Sequence, residues 1–185
     1  MNPFESLQRL IEGNRRYVGD ELLHPNRSSD RREEILEGQN PFAVIVGCSD
    51  SRVAPEIIFD QGLGDLFIVR VAGNVIGPIE LDSIEYSTKY LGSSLVFVLG
   101  HESCGAVTAV MNGTTTYIEE IANLIKPAIR HAKYLEDAVK ENVRWVVRYL
   151  RSTPLLKQLI QEKKVDCIGA YYHLGTGSVE ILSST

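Results

Sequence analysis

The chain has 185 residues, 44% hydrophobic and 23% charged, which fits a single soluble globular domain around one sizeable core. Its net charge of −5 argues against a general nucleic-acid or anionic-membrane binder, though not against a small anionic substrate. No run approaches the roughly 18 apolar residues of a membrane span, and Met1-Asn2-Pro3-Phe4-Glu5 lacks the basic-then-apolar pattern of a signal peptide, so a cytoplasmic location is expected.

In chain order, Asn2 can cap a helix, with Pro3 at its first position and Glu5 reaching back in a capping box. Phe4, Leu7, Leu10, Ile11 and Val18 stripe one face at helical spacing. Residues 20–30 are polar and read as a loop, so this first helix either docks on a neighbouring subunit or lies on its own sheet. From Pro41 strands alternate with helices: a strand at 42–47, a short helix at 55–59 and a strand at 65–70. A turn at Ala72-Gly73-Asn74 leads to a helix at 79–91 closed by Gly92, then to an almost wholly apolar strand at 95–99. Further helices fall at 104–111 and 116–129, then in a stretch striped by Val139, Val143, Val146, Val147 and Leu150, then from Pro154 to the charged residues 162–164. Residues 165–172 form a fourth strand, with Cys167 in its core, and 178–182 a last one after Gly175-Thr176-Gly177. The alternation predicts an α/β domain: a mainly parallel β-sheet flanked by helices, with an antiparallel edge strand and an N-terminal helical arm over residues 1–40.

In such sheets, sites gather beyond the carboxyl ends of strands. Two of those ends carry Cys48-Ser49-Asp50-Ser51-Arg52 and His101-Glu102-Ser103-Cys104. Two thiols and an imidazole are donors for a soft divalent metal, zinc above all. Ser103 is placed to cap a helix beginning at Cys104, where the helix dipole favours thiolate. Taken singly, Cys48 reads as a small core residue, Asp50 as a helix cap and His101 as a core histidine. Their convergence on two strand ends favours the metal. Spacing removes other chemistries: three residues separate Cys48 from Arg52 where a tyrosine-phosphatase loop needs five, and there is neither a Cys-x-x-Cys pair nor a phosphate-cradling Gly-rich loop. Three protein ligands leave a fourth position for water or substrate. Asp50 either closes that position or, paired with Arg52, leaves it open and accepts a hydrogen bond from bound hydroxide.

These residues resemble the β-class carbonic anhydrases. The likeness runs through Cys48-Ser49-Asp50-Ser51-Arg52-Val53, Arg70-Val71-Ala72-Gly73-Asn74, Ser83-Ile84-Glu85-Tyr86, Gly100-His101-Glu102-Ser103-Cys104-Gly105 and Gly169-Ala170-Tyr171-Tyr172-His173-Leu174. It spans nearly the whole chain, read as one domain over residues 1–185. It implies that Cys48, His101 and Cys104 bind one zinc ion per subunit and that Asp50 pairs with Arg52. The implied activity is that of a carbonate dehydratase, which hydrates CO2 to bicarbonate through zinc-bound hydroxide. Ile45 stands where the bicarbonate-inhibited type carries tryptophan, and Gln39 where the plant-like type carries glutamine, so the plant-like, open-site type is implied. The family's substrate pocket maps onto Gln39, Phe67, Ala72, Tyr86 and Gly105, with Ala72 standing where that pattern often has valine. Also implied are a homodimer or dimer of dimers, a pocket built from both subunits, and an N-terminal helix lying on the partner. Two rival readings share parts of the pattern: a carbonyl sulfide or carbon disulfide hydrolase, and a zinc-stabilised binding protein whose site Asp50 closes.

Overall fold

The computed structural model describes residues 1–183 and places β1 (Ala43–Gly47), β2 (Leu66–Arg70), β3 (Leu95–His101), β4 (Asp166–Tyr172) and β5 (Val179–Leu182) in one sheet, ordered β2-β1-β3-β4-β5. The first four strands are parallel and β5 is an antiparallel edge, as the alternation predicts. β1 and β3 are buried at every position, because helices cover both faces and no position can face water. On one face Ala43, Ile45, Leu95, Phe97 and Leu99 pack with Leu10, Ile58 and Phe59. On the other, Val44, Val46, Val96 and Val98 pack with Val107, Ile125, Val143 and Leu150.

The helices are α1 (Pro3–Val18), α2 (Ser29–Glu34), α3 (Pro55–Ile58), α4 (Pro78–Tyr90), α5 (Gly105–Met111), α6 (Glu119–Ile129), α7 (Leu135–Ser152) and α8 (Pro154–Gln161). The capping box opening α1 is present: the Glu5 amide donates to Asn2 Oδ1 at 3.0 Å and the Asn2 amide to Glu5 Oε2 at 2.9 Å. α2 interrupts what the polarity of residues 20–30 suggested was loop; Ser28 Oγ accepts the Arg31 amide at 3.1 Å and starts it. The helix expected from residue 116 starts only at Glu119, since Tyr117 takes a left-handed φ of 68°. α7 lies tight against the sheet because β3 and β4 carry glycines beneath it. A Cβ on Gly169 would stand 2.8 Å from Val143 Cγ1, and one on Gly100 would also collide with Val143.

α1 packs on its own chain's sheet through Ser6, Leu10, Gly13 and Asn14, while Phe4 and Val18 of the expected apolar stripe stay exposed. Ser6 Oγ donates to the Phe42 carbonyl at 3.2 Å, and Asn14 Nδ2 donates to the Ile58 and Gly177 carbonyls at 3.2 and 2.8 Å. Gly13 lets the helix backbone meet the Phe59 carbonyl, which any side chain would block. Leu10, fully buried among Phe42, Ile45 and Phe97, gives the helix an apolar anchor within the chain.

Asp60 ties this arm down. Its buried carboxylate accepts from Arg16 Nε at 2.6 Å and from the Leu23 and His24 amides at 3.0 Å each. Burial pushes the carboxyl's pKa up, but the Arg16 guanidinium and the two amides outweigh it and hold the group below its ordinary value. A carboxylate so lowered stabilises the fold above its unfolded pKa, about 4, and the contribution is lost as pH falls through the lower folded value. Asp60→Asn is expected to cost about 2–4 kcal/mol at pH 7, because it leaves Arg16 without its anion. In urea unfolding at fixed protein concentration, the gap from the parent should narrow below about pH 4; an undiminished gap in acid would show that the carboxylate charge is not its source.

Candidate metal centre

The parallel register pairs Gly47 with Leu99, so Cys48 and His101 leave the sheet at the same carboxyl end. Ser103 does not cap α5 as expected. It takes a left-handed φ of 55°, and Cys104 itself is the N-cap residue. This turn, uncommon for a non-glycine residue, brings the Cys104 sulfur back toward the strand ends. The ligating atoms of Cys48, His101 and Cys104 all lie within 4.8 Å of one another, and all three residues are buried.

His101 Nδ1 sits 2.8 Å from the Glu102 carbonyl oxygen, an acceptor, which places the ring proton on Nδ1 and leaves Nε2 as a bare lone pair. Nε2 is buried with no hydrogen-bond partner among the described residues. Leaving such a group unpaired costs about 1–3 kcal/mol, and a cation shared by Nε2 and the two sulfurs removes that cost. The donor set therefore fits a metal. The neighbouring Cys104 thiol does most to hold the Cys48 thiol down to about 4, and the Gly73 amide assists, against the opposing effect of burial. The same pairing, together with burial, pushes the Cys104 thiol far above its ordinary range. The pairing thus favours thiolate, the ligating form, at Cys48.

The 48–52 loop is held from two sides. Arg52 grips Asp50 in a bidentate pair, Nε to Oδ1 at 2.9 Å and Nη2 to Oδ2 at 2.7 Å, and the Arg52 amide adds a bond to Oδ1 at 3.0 Å. The hydrogen bonds from Arg52 keep the Asp50 carboxyl well below the usual carboxylate range. Asp50 Oδ2 still stands only 3.9 Å from His101 Nε2. From β2, Arg70 donates to the Cys48 carbonyl at 2.9 Å and the Asp50 carbonyl at 2.7 Å, fixing the backbone on which both side chains hang. The Gly73 amide donates to Cys48 Sγ at 3.3 Å. Sequence reasoning gave Arg70 and Gly73 no role here; only their place in the Arg70-Val71-Ala72-Gly73-Asn74 motif drew attention to them.

The five expected substrate-pocket residues do not converge within the chain. Ala72 and Gly105 adjoin the centre, Ala72 beside Gly73 and Gly105 as the first residue of α5. Phe67 pairs with Val44 in the strand register, four residues short of Cys48, or about 13 Å along the strand. Tyr86, nearly half exposed on α4, packs on Phe67 with ring centroids 6.5 Å apart. Gln39 lies at the amino end of the sheet in a cleft with Arg9 and Asp65. The whole length of β1, about 17 Å, separates it from the thiols.

The carbonic anhydrase family model matches residues 43–179. The chain belongs to the β-class carbonic anhydrase family. It is 38% identical to a carbonic anhydrase of Mycolicibacterium smegmatis, over 98% of this chain and 94% of that protein. It is 48% identical to carbonic anhydrase 2 of Mycobacterium tuberculosis, over 69% of this chain and 65% of that protein. Among solved structures, the Coccomyxa β-carbonic anhydrase in complex with acetazolamide superposes with a TM-score of 0.75 at 25% identity, covering 95% of this chain and 86% of that one.

Replacing either sulfur donor, Cys48→Ser or Cys104→Ser, is expected to weaken retention of a divalent metal by more than the roughly 10- to 100-fold that loss of an outer-shell partner costs. Elemental analysis after dialysis against a chelator measures this; parental metal content in both variants would remove these thiols from the ligand set.

Proposed function

We propose that the chain catalyses the reversible hydration of CO2 to bicarbonate and a proton, with one zinc ion held by Cys48, His101 and Cys104. The observation that carries this reading is a buried Cys-His-Cys donor set within 4.8 Å, flanked by a carboxylate that an arginine holds back. Two thiolates and one imidazole suit zinc and leave a coordination position free. Bound there, zinc lowers the pKa of a water molecule from about 16 toward 7–9 and so supplies a nucleophile near neutral pH. Asp50, ionised across the working range, accepts that nucleophile's hydrogen and aims its lone pair at the substrate carbon. Arg52 occupies both Asp50 oxygens, which supports the plant-like, open-site type over a site closed by Asp50.

Ala72 and Gly105 form the near wall of the substrate slot. Gln39 donates its amide to the CO2 oxygen on which charge develops, and Phe67 and Tyr86 line an apolar slot for a small nonpolar molecule. These last three lie too far from their own chain's thiols and reach the centre from a second copy. The patch of half-buried Phe67 with exposed Tyr86 and Tyr90 at the β2 edge is where that copy docks, and the exposed 20–40 segment carries its Gln39 across. The working unit is then a homodimer or a dimer of dimers of one-domain chains acting in the cytoplasm. No described helix is long and apolar enough to cross a membrane.

Stopped-flow CO2 hydration on protein of measured zinc content tests the reading. Asp50→Asn is expected to keep its zinc and lose about 100-fold in kcat. Activity should rise toward alkaline pH. Asp50 carries its charge throughout, so the rise follows ionisation of water at a centre whose two thiolates offset the metal's charge and acidify it only moderately. Stoichiometric zinc with no hydration, or a rate flat from mildly acidic to alkaline pH, contradicts the proposal; carbon disulfide turned over in preference to CO2 would favour the rival hydrolase.

A further inference from the structure

Gly73 aims a backbone amide at the Cys48 sulfur, yet glycine has no side chain to hold that amide in place. Its φ of 73° is left-handed, which glycine adopts freely and other residues resist. The space around it is closed: a Cβ there would stand 2.8 Å from Ile125 Cδ1 and 3.2 Å from Ala106 Cβ. Crowding keeps side chains out of the turn but does not direct the amide. A polar contact from across the core does. Asn142 Nδ2, on α7, donates to the Gly73 carbonyl at 2.8 Å, and Asn142 is wholly buried.

Asn142 stands out among its neighbours. Ala138, Val139, Val143, Val146 and Val147 make the rest of this buried stretch of α7 apolar. Its Oδ1 has no hydrogen-bond partner among the described residues, so the amide is only half satisfied. A half-satisfied amide in a core is worse for stability than an apolar side chain of like size. Packing alone therefore does not account for asparagine here, whereas the Gly73 carbonyl does. α7 reaches that carbonyl because Gly100 and Gly169 let Val143, the next residue, sink against the sheet.

We infer that Asn142 is a positioning residue for the metal centre: by clamping the Gly73 carbonyl it holds the Gly73 amide against Cys48 Sγ and so sets the affinity of the centre for its metal. This rests on the reading of Cys48, His101 and Cys104 as the zinc ligands. An N–H donated to a ligating sulfur orients its lone pairs and disperses its charge, the role that outer-shell hydrogen bonds play around metal ligands generally.

The test measures metal affinity rather than turnover. Zinc dissociation constants are read by competition with a chromophoric chelator, and the thiolate-to-metal charge-transfer band is read on the cobalt-substituted protein. Asn142→Ala and the isosteric Asn142→Asp, each checked for folding by circular dichroism in the metal-free state, are expected to raise the zinc Kd about 10- to 100-fold and to shift the cobalt band. Val146→Ala, one turn along the same buried face, serves as the packing control; it should lower Tm and leave both readouts at parental values. A parent that takes up no zinc overturns the ligand assignment and this inference with it. Parental affinity and an unshifted band in both Asn142 variants, beside a zinc-loaded parent, overturn the inference alone. So does a Val146→Ala variant that loses as much affinity as Asn142→Ala.

Discussion

The centre depends first on the register between β1 and β3. Pairing Gly47 with Leu99 sets Cys48 level with Gly100 and brings His101 out at the same end of the sheet. Side chains alternate along a strand, so a slip of one residue would carry Cys48 to the opposite face and separate it from the imidazole. The register is fixed by apolar packing on both faces, with Ile45 and Phe97 in one cluster and Val46 and Val98 in the other. A site of polar, ionisable donors is thus positioned by residues that carry no chemistry themselves.

Burying two thiols and an imidazole is unfavourable unless their charges are answered. The cations nearby are set to act on the loop more than on the sulfurs. Arg70 takes the Cys48 and Asp50 carbonyls, Arg52 takes the Asp50 carboxylate, and the sulfur itself receives backbone amides, Gly73 at 3.3 Å among them, rather than a cation. That arrangement leaves the positive charge at the centre to the metal while keeping the peptide around it rigid. Arg16 and Asp60 use the same chemistry at the other end of α3 for a purely structural end, tying the arm to the core. The difference lies in what each carboxylate faces: Asp60 meets backbone amides and one arginine, Asp50 a bare imidazole nitrogen.

Much of this was legible in the sequence, because it is written in local signals. The apolar runs that became β1 and β3, the Asn2-Pro3-Glu5 start of α1 and the Cys and His at two strand ends each depend on neighbours a few residues away. What escaped depends on tertiary geometry. Ser103 carries the side chain of an N-cap, yet the turn that returns Cys104 to the strand ends needs Ser103 left-handed and passes the cap position to the cysteine. The apolar stripe on α1 is buried only in part: Leu10 is sealed in while Phe4 and Val18 face solvent, and the hold on this chain's sheet runs through Ser6, Gly13 and Asn14, unremarkable in sequence. Asn142 had no signal at all, since one polar residue in an apolar helix face acquires meaning only when the carbonyl opposite it is known.

The position of Gln39 has a consequence for how the proposed activity is organised. A residue at the amino end of the sheet and thiols at the carboxyl end cannot serve one substrate within one chain, whatever the rotamer, because β1 separates them by its full length. The metal donors, with Asp50, Arg52, Arg70 and Gly73, are complete in a single chain; on the proposed function, the substrate slot is not. Metal binding and substrate binding then respond to different forces. Metal binding follows the packing of α7 and the glycines of β3 and β4, and substrate binding follows whatever joins the β2 edge and the 20–40 segment to a second copy. Changes at the Phe67–Tyr86 patch should therefore reach turnover through assembly and leave the metal in place, and changes beneath α7 should loosen the metal while the surface stays intact.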